Sequence, residues 1–429
     1  MCDSAIPLFA DVPINEDIID KRIEKVAATS LSDSRHFKFE IAATDECIDL
    51  SKSLILLKLK IVKADGTNLD ADAEVALINH AGATMFEKLE IALGSAMDNV
   101  VNIDNYGYVA YLENKLMNSL DYNKTSGTLS GYYEDTPSQF ETLSDANLGF
   151  KARKALCKNS RTFQLYSKIH SGLINQPKPL KSQIDLTLEF TLPDPDFYIM
   201  APALTNQNQQ KYRAEILEAH LVIERLKLSN ECNIKIEKYF QNNPIVYQFE
   251  RTRAWIKDVD TGLSTISFTD FCNKNDLPKF LICGFVKENS FAGKQERNPF
   301  NFIPNKVKSL NLTKNGTSIT GKRLTMDYTG GNFSEAYYQF LKSFGFWNNL
   351  EDCSTTPEAF SSGTTIYGFD LSPTCNGLNY VDQIRQGNME IDILFDRDTD
   401  QKTKFMVLNI YDSQISINSL LRIDKNYSS

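Results

Sequence analysis

Histidine is scarce: four in 429 residues, at positions 36, 80, 170 and 220. No two lie at H-x-H or H-E-x-x-H spacing, the arrangements that let neighbouring side chains on one strand or helix reach a shared metal. Each is therefore expected to be a hydrogen-bonded structural residue. Cysteine is also thin. The eight, at 2, 47, 157, 232, 272, 283, 353 and 375, include no C-x-x-C pair and are too sparse for a disulfide scaffold. They are expected to be reduced and mostly buried, which implies synthesis inside a cell, with no secretion. No apolar run approaches the roughly 18 residues of a membrane span; the longest, Phe280 to Val286, is strand-sized. The opening MCDSAIPLFADVPINEDIIDKR has early acids and no long apolar core, unlike a signal peptide.

An excess of positive charge is missing too. Forty-six Lys and Arg against 55 Asp and Glu give a net charge of -9, so the chain has no bulk attraction for nucleic acid. The first residues agree, with Asp11, Glu16, Asp17 and Asp20 balancing Lys21, Arg22 and Lys25. The densest basic cluster, Lys151, Arg153, Lys154, Lys158 and Arg161, is expected to form a solvated face.

Catalytic signatures are equally absent. There is no G-x-S-x-G elbow, and no phosphate-binding or dinucleotide loop between a strand and a helix. Asp396, Asp398 and Asp400 resemble the start of a calcium loop, but Gln401 and Val407 stand where its glycine and its bidentate glutamate belong. A solvated hairpin loop is the expectation there. The Asn-x-Ser/Thr matches at 123, 311, 315, 332 and 426 carry little weight without a secretion signal. No catalytic, cofactor-binding or metal-ligating residue is assigned, and no cofactor is expected. With 55 acids, a glycosidase-type carboxylate pair stays open.

Strand patterns fill the space that these motifs leave. Phe37, Phe39 and Ile41 alternate with polar neighbours, as do Ile184, Leu186, Leu188 and Phe190. Leu54 to Val62 is a denser inner-strand run, and Phe86, Leu89, Ile91 and Leu93 end at Gly94-Ser95. Val307, Leu310 and Leu312 run into Asn315-Gly316, a strong hairpin signal. Two helices interrupt the strands. One covers Tyr106 to Leu116, with Asp104 as its expected cap; the other carries Phe333, Tyr337, Phe340, Leu341 and Phe344 on one face. The aromatic-rich Tyr337 to Trp347 stretch and Trp255 are expected to dock on their own sheet, with interface anchors as the alternative.

The chain also repeats itself. Residues Gly172 to Phe190 lie without gaps on Gly377 to Phe395, an offset of 377 − 172 = 205. Gly172-Leu173 meets Gly377-Leu378, and Ile184, Leu186, Leu188 and Phe190 meet Met389, Ile391, Ile393 and Phe395. Alternation alone recurs by chance. The shared Gly-Leu and the repeated order of strand, helix and strand favour two copies of one mostly-β unit, of the size of a jelly roll with long loops. Pro193, Pro195, Pro202 and the polar stretch at 201–212 suggest the division: an arm over 1–28, a first unit over 29–205 and a second over 206–429.

Several segments resemble one family. Cys47 to Gly66 (CIDLSKSLILLKLKIVKADG), then VALINHAGATMFEKLEIALGS and YGYVAYLENKLMNS, are similar in order to segments of the major capsid proteins of Polinton/Maverick elements and the related adintoviruses. Here Cys47 replaces the usual aromatic. Arg297 to Gly316 (RNPFNFIPNKVKSLNLTKNG) and Gly368 to Phe395 (GFDLSPTCNGLNYVDQIRQGNMEIDILF) continue the likeness over most of the chain. The resemblance implies an all-β double jelly roll of the adenovirus-hexon lineage, a structural protein with no catalytic residues. It also implies homotrimeric capsomers of an icosahedral double-stranded DNA virus or virus-like element, located in the virion and built with a penton protein and minor capsid proteins. The other classes left by the residues are a carbohydrate-binding or carbohydrate-degrading β-sandwich and a minor capsid or spike protein.

Overall fold

Alternation of apolar and polar residues places most of the strands, and their pairing makes two units of the same plan. The computed structural model describes residues 17–29, 35–204, 211–272, 276–347, 352–373 and 385–427. The first unit contains eight principal strands: β1 (Ile18–Ala27), β2 (His36–Ile41), β3 (Cys47–Lys63), β4 (Lys88–Leu93), β5 (Asp98–Asp104), β6 (Phe163–Lys168), β7 (Leu186–Thr191) and β8 (Tyr212–Leu228). They form two four-stranded sheets in the orders β1-β8-β3-β6 and β2-β7-β4-β5. The second unit repeats this with β9 (Ile245–Val259), β10 (Thr265–Phe268), β11 (Phe280–Lys287), β12 (Val307–Lys314), β13 (Thr317–Ser318), β14 (Ile366–Asp370), β15 (Met389–Phe395) and β16 (Thr403–Ile417). Its sheets run β9-β16-β11-β14 and β10-β15-β12-β13, with short strands added at the margins. Adding eight to each label of the first unit gives the second. The principal pairings are antiparallel, and the interleaved order is that of a jelly roll.

The repeated segments fall on equivalent strands. Leu186, Leu188 and Phe190 of β7 and Met389, Ile391, Ile393 and Phe395 of β15 are buried, while Glu390, Asp392 and Leu394 on the other face of β15 are half-exposed. The Gly377-Leu378 end of the repeat lies outside the described residues. At the β12–β13 hairpin, Lys314 pairs with Thr317, and Asn315 (φ +49°) and Gly316 (φ +78°) take the two left-handed turn positions.

The expected division of the chain is corrected by strand pairing. β1, placed in the arm over 1–28, pairs along its length with β8. β8, placed at the head of the second unit, pairs with both β1 and β3. The boundary expected at 205/206 thus falls between β7 and β8 of one jelly roll, because turn chemistry in a sequence marks a break between strands whether or not a domain ends there. Helix α4 (Asn230–Asn242), capped by Ser229 Oγ on the Cys232 amide, is the link between the two units.

The five helices used below are α1 (Tyr106–Met117) and α2 (Leu148–Cys157), both between β5 and β6; α3 (Gly172–Asn175), between β6 and β7; α4; and α5 (Ser334–Ser343), between β13 and β14. α1 and α5 thus occupy matching connections. Asp104 does not cap α1. It ends β5, and Asn105, with φ 54° and ψ 38° and no side-chain cap bond, turns the strand straight into the helix. The apolar side of α5 docks on β14 as expected, with Phe340 buried against Phe344 and Phe360.

Candidate assembly surfaces

No cluster of three or more histidine, cysteine or acidic residues among those described is placed to hold a metal ion. The loop of Asp396, Asp398 and Asp400 is engaged by a lysine: Lys306 Nζ lies 2.6 Å from Asp400 Oδ2 and donates to the Asp398 carbonyl at 3.4 Å. That ammonium holds the Asp400 carboxyl below the usual range. Glu46, Asp145, Glu218 and Glu231 are likewise held low by Arg22, Lys154, Lys58 and Lys235. A glycosidase general acid needs the opposite shift. Cys47, Cys157, Cys232, Cys272, Cys283 and Cys353 are free thiols. Burial pushes their pKa values up, to about 12 at Cys157 and Cys272, which keeps them protonated and unreactive.

The largest built feature is the junction between the two jelly rolls. On the first side stands α1, on the second the connection between β11 and β12. Tyr111 stacks on Phe300 with ring centroids 4.3 Å apart and planes 5° from parallel, and Tyr108 stacks on Phe291 at 5.2 Å. Asn298, fully buried, donates to the Phe140 carbonyl at 3.0 Å, and Arg297 and Lys287 meet Glu141 at 2.6 and 3.1 Å. Farther along, α3 lies on β9. A Cβ on Gly172 would stand 2.0 Å from the Glu250 carbonyl oxygen, so only glycine permits this approach. Lys178 Nζ donates to the Val246 carbonyl at 2.9 Å, and Tyr247 Oη accepts from the Lys181 amide at 2.9 Å. The repeated Gly-Leu of the sequence is thus, in its first occurrence, a docking point.

Two histidines that look isolated in the sequence meet beside this junction. His80 Nε2 lies 3.1 Å from His170 Nε2; Ser130 Oγ is 2.6 Å from His80 Nδ1, and Glu113 Oε2 is 3.1 Å from His170 Nδ1. Thr252 of β9 donates to the other oxygen of Glu113 at 3.4 Å, so the chain of polar groups crosses between the units. The Ser130 hydroxyl donates to the Gly127 carbonyl at 2.8 Å, which extends the buried polar chain by one more group. Burial and the facing His170 hold the His80 pKa well below its ordinary 6.5. Above pH 6.5 His80 is neutral both folded and unfolded. Below it the unfolded chain gains a proton that the folded chain refuses, so stability falls as pH falls, by up to about 1.4 kcal/mol per pH unit. Thermal melts at pH 7.5 and 5.5 should show a larger drop for the natural protein than for His80→Gln. Equal drops would remove His80 from the account.

Arg153 corrects the expected solvated basic face. It is 1% exposed and pairs with Asp135 (3% exposed) at 2.9 Å, while also donating to the carbonyls of Leu77 and Tyr133. α2 presents it inward, and Lys154 beside it bridges Glu74 and Asp145. Breaking such a pair leaves a buried charge alone, so Arg153→Met should destabilise by about 3–5 kcal/mol. Adding Asp135→Leu should recover part of the loss, and urea denaturation midpoints of the two variants measure it.

No protein-family model matches the chain. It is 27% identical over 302 residues to the uncharacterized protein F54H12.2 of Caenorhabditis elegans, covering 70% of this chain and 69% of that one. Solved structures agree with it over nearly the full length. A chain of the Sputnik virophage structure matches with TM-score 0.66 and 14% identity, covering 100% of this chain and 93% of that one. A chain of the PBCV-1 virus capsid matches at 0.63 and 11%, covering 98% and 100%, and the mavirus major capsid protein at 0.56 and 10%, covering 94% and 90%. The chain has the fold of the double jelly-roll capsid proteins.

Proposed function

We propose that the chain is a major capsid protein, which builds the icosahedral shell of a double-stranded DNA virus or virus-like element and catalyses nothing. The observation that carries this is the tandem pair of jelly rolls with the same strand order, fused by a buried junction into one body and paralleled end to end by virophage and virus capsid subunits. Three such chains present six near-equivalent walls, so a homotrimer can tile a hexagonal lattice. The segments similar to Polinton/Maverick capsid proteins, together with a relative in an animal, Caenorhabditis elegans, support a virus-like element of that group as the source. A penton protein would close the fivefold vertices. Electron microscopy of the expressed protein tests the proposal: hexagonal capsomers or closed shells are expected, and dispersed single chains under all assembly conditions would overturn it.

A further inference from the structure

The junction between the two jelly rolls holds a cleft of about 240 Å³ to which both units contribute. Phe86, just before β4, Tyr108 on α1 and Phe197, just after β7, line it from the first unit; Phe291 and Ala292, just after β11, line it from the second. Tyr108 lies within 16° of parallel to Phe291, and Phe197 stands at 60° to Tyr108. The faces of such rings carry partial negative charge. One of them already draws a cation: Lys404 Nζ stands 5.5 Å from the centre of the Phe291 ring.

The rim adds a charge of the same sign. Arg35 and Asp194 pair with each other there and cancel. Glu87 also lines the cleft, is exposed, and has no ion-pair partner for its carboxylate among the described residues. Lys88, next to it in the chain, is taken by Glu90 at 3.0 Å, and Lys404 by Asp258. Aromatic faces beside one uncompensated carboxylate repel an anion and suit an ammonium group.

We propose that this cleft binds a small organic cation, an ammonium carried on a compact apolar body, with the charge at Glu87 and the body against Phe86, Tyr108, Phe197 and Phe291. The volume equals about eight shares of liquid water at ~30 Å³ each, which sets the ligand at about ten non-hydrogen atoms. The site lies within one chain, so it stands apart from the capsomer reading.

The test compares phenethylamine with 2-phenylethanol and phenylacetate, which carry a neutral and an anionic group on the same ring, by calorimetry and ligand-observed NMR. The natural chain should bind the amine one to one, the alcohol about tenfold more weakly, and the acid not at all. Glu87→Gln, at an exposed position, should remove the preference for the amine over the alcohol. Ala292→Trp, also exposed, should fill the cleft and block both, with near-ultraviolet circular dichroism to follow the fold. Because the ligand touches both units, saturating amine should raise the thermal midpoint of the natural chain and leave that of Ala292→Trp unchanged. Failure of the natural chain to bind the amine at millimolar concentration would overturn the inference. So would equal binding of amine and alcohol, or an unchanged affinity for the amine in both variants.

Discussion

Leu186→Asp and Ile391→Asp are each expected to unfold the jelly roll that contains them and to abolish assembly. Both side chains are 1% exposed or less, on the inward face of β7 and β15. An aspartate there has no cation to pair with, and an unpaired buried carboxylate costs several kcal/mol, a large part of a domain's total stability of roughly 5–15 kcal/mol. Raising the carboxylate's pKa lets it take up a proton and soften the loss, so the defect should be smaller at pH 5 than at pH 8. Glu390→Gln, on the outward face of β15, should change stability by no more than about 0.5 kcal/mol. Urea denaturation followed by circular dichroism reads all three. Normal cooperative folding of either aspartate variant would show that these strands do not line a sandwich interior.

Phe300→Ala should have the next largest effect. Its ring is 1% exposed, stacked on Tyr111 and edge-on to Tyr108 and Phe197 of the first jelly roll. Truncation removes the transfer energy of the ring and leaves a void between two units that cannot collapse onto it, a loss of about 3–5 kcal/mol. Because the ring belongs to the second unit and its partners to the first, the unfolding transition should also broaden or split as the units uncouple. A single sharp transition at the natural midpoint would mean that the junction does not hold the two jelly rolls together.

These residues differ in how far the sequence reveals them. Leu186 and Ile391 are legible because alternation has a period of two along a single strand, and because the 205-residue offset aligns them. The hairpin at Asn315-Gly316 is legible because its left-handed turn residues are local. The unit boundary is not. Arg225 of β8 meets Glu24 of β1 across 201 positions, and no local pattern distinguishes a turn that ends a domain from one that leads to the other sheet of the same jelly roll. His80 and His170, 90 positions apart, fail the short-spacing test for the same reason: the jelly roll brings together what spacing rules treat as isolated. Arg153 reads as part of a basic surface because its partner Asp135 lies 18 positions earlier, in the long connection before α2.

The claim that this chain is a capsomer subunit is tested most directly by the mass of the purified protein in solution, measured by light scattering. A trimer of three 48.6 kDa chains, about 146 kDa, is the expected result. A stable monomer of 48.6 kDa at every concentration and salt condition would contradict it.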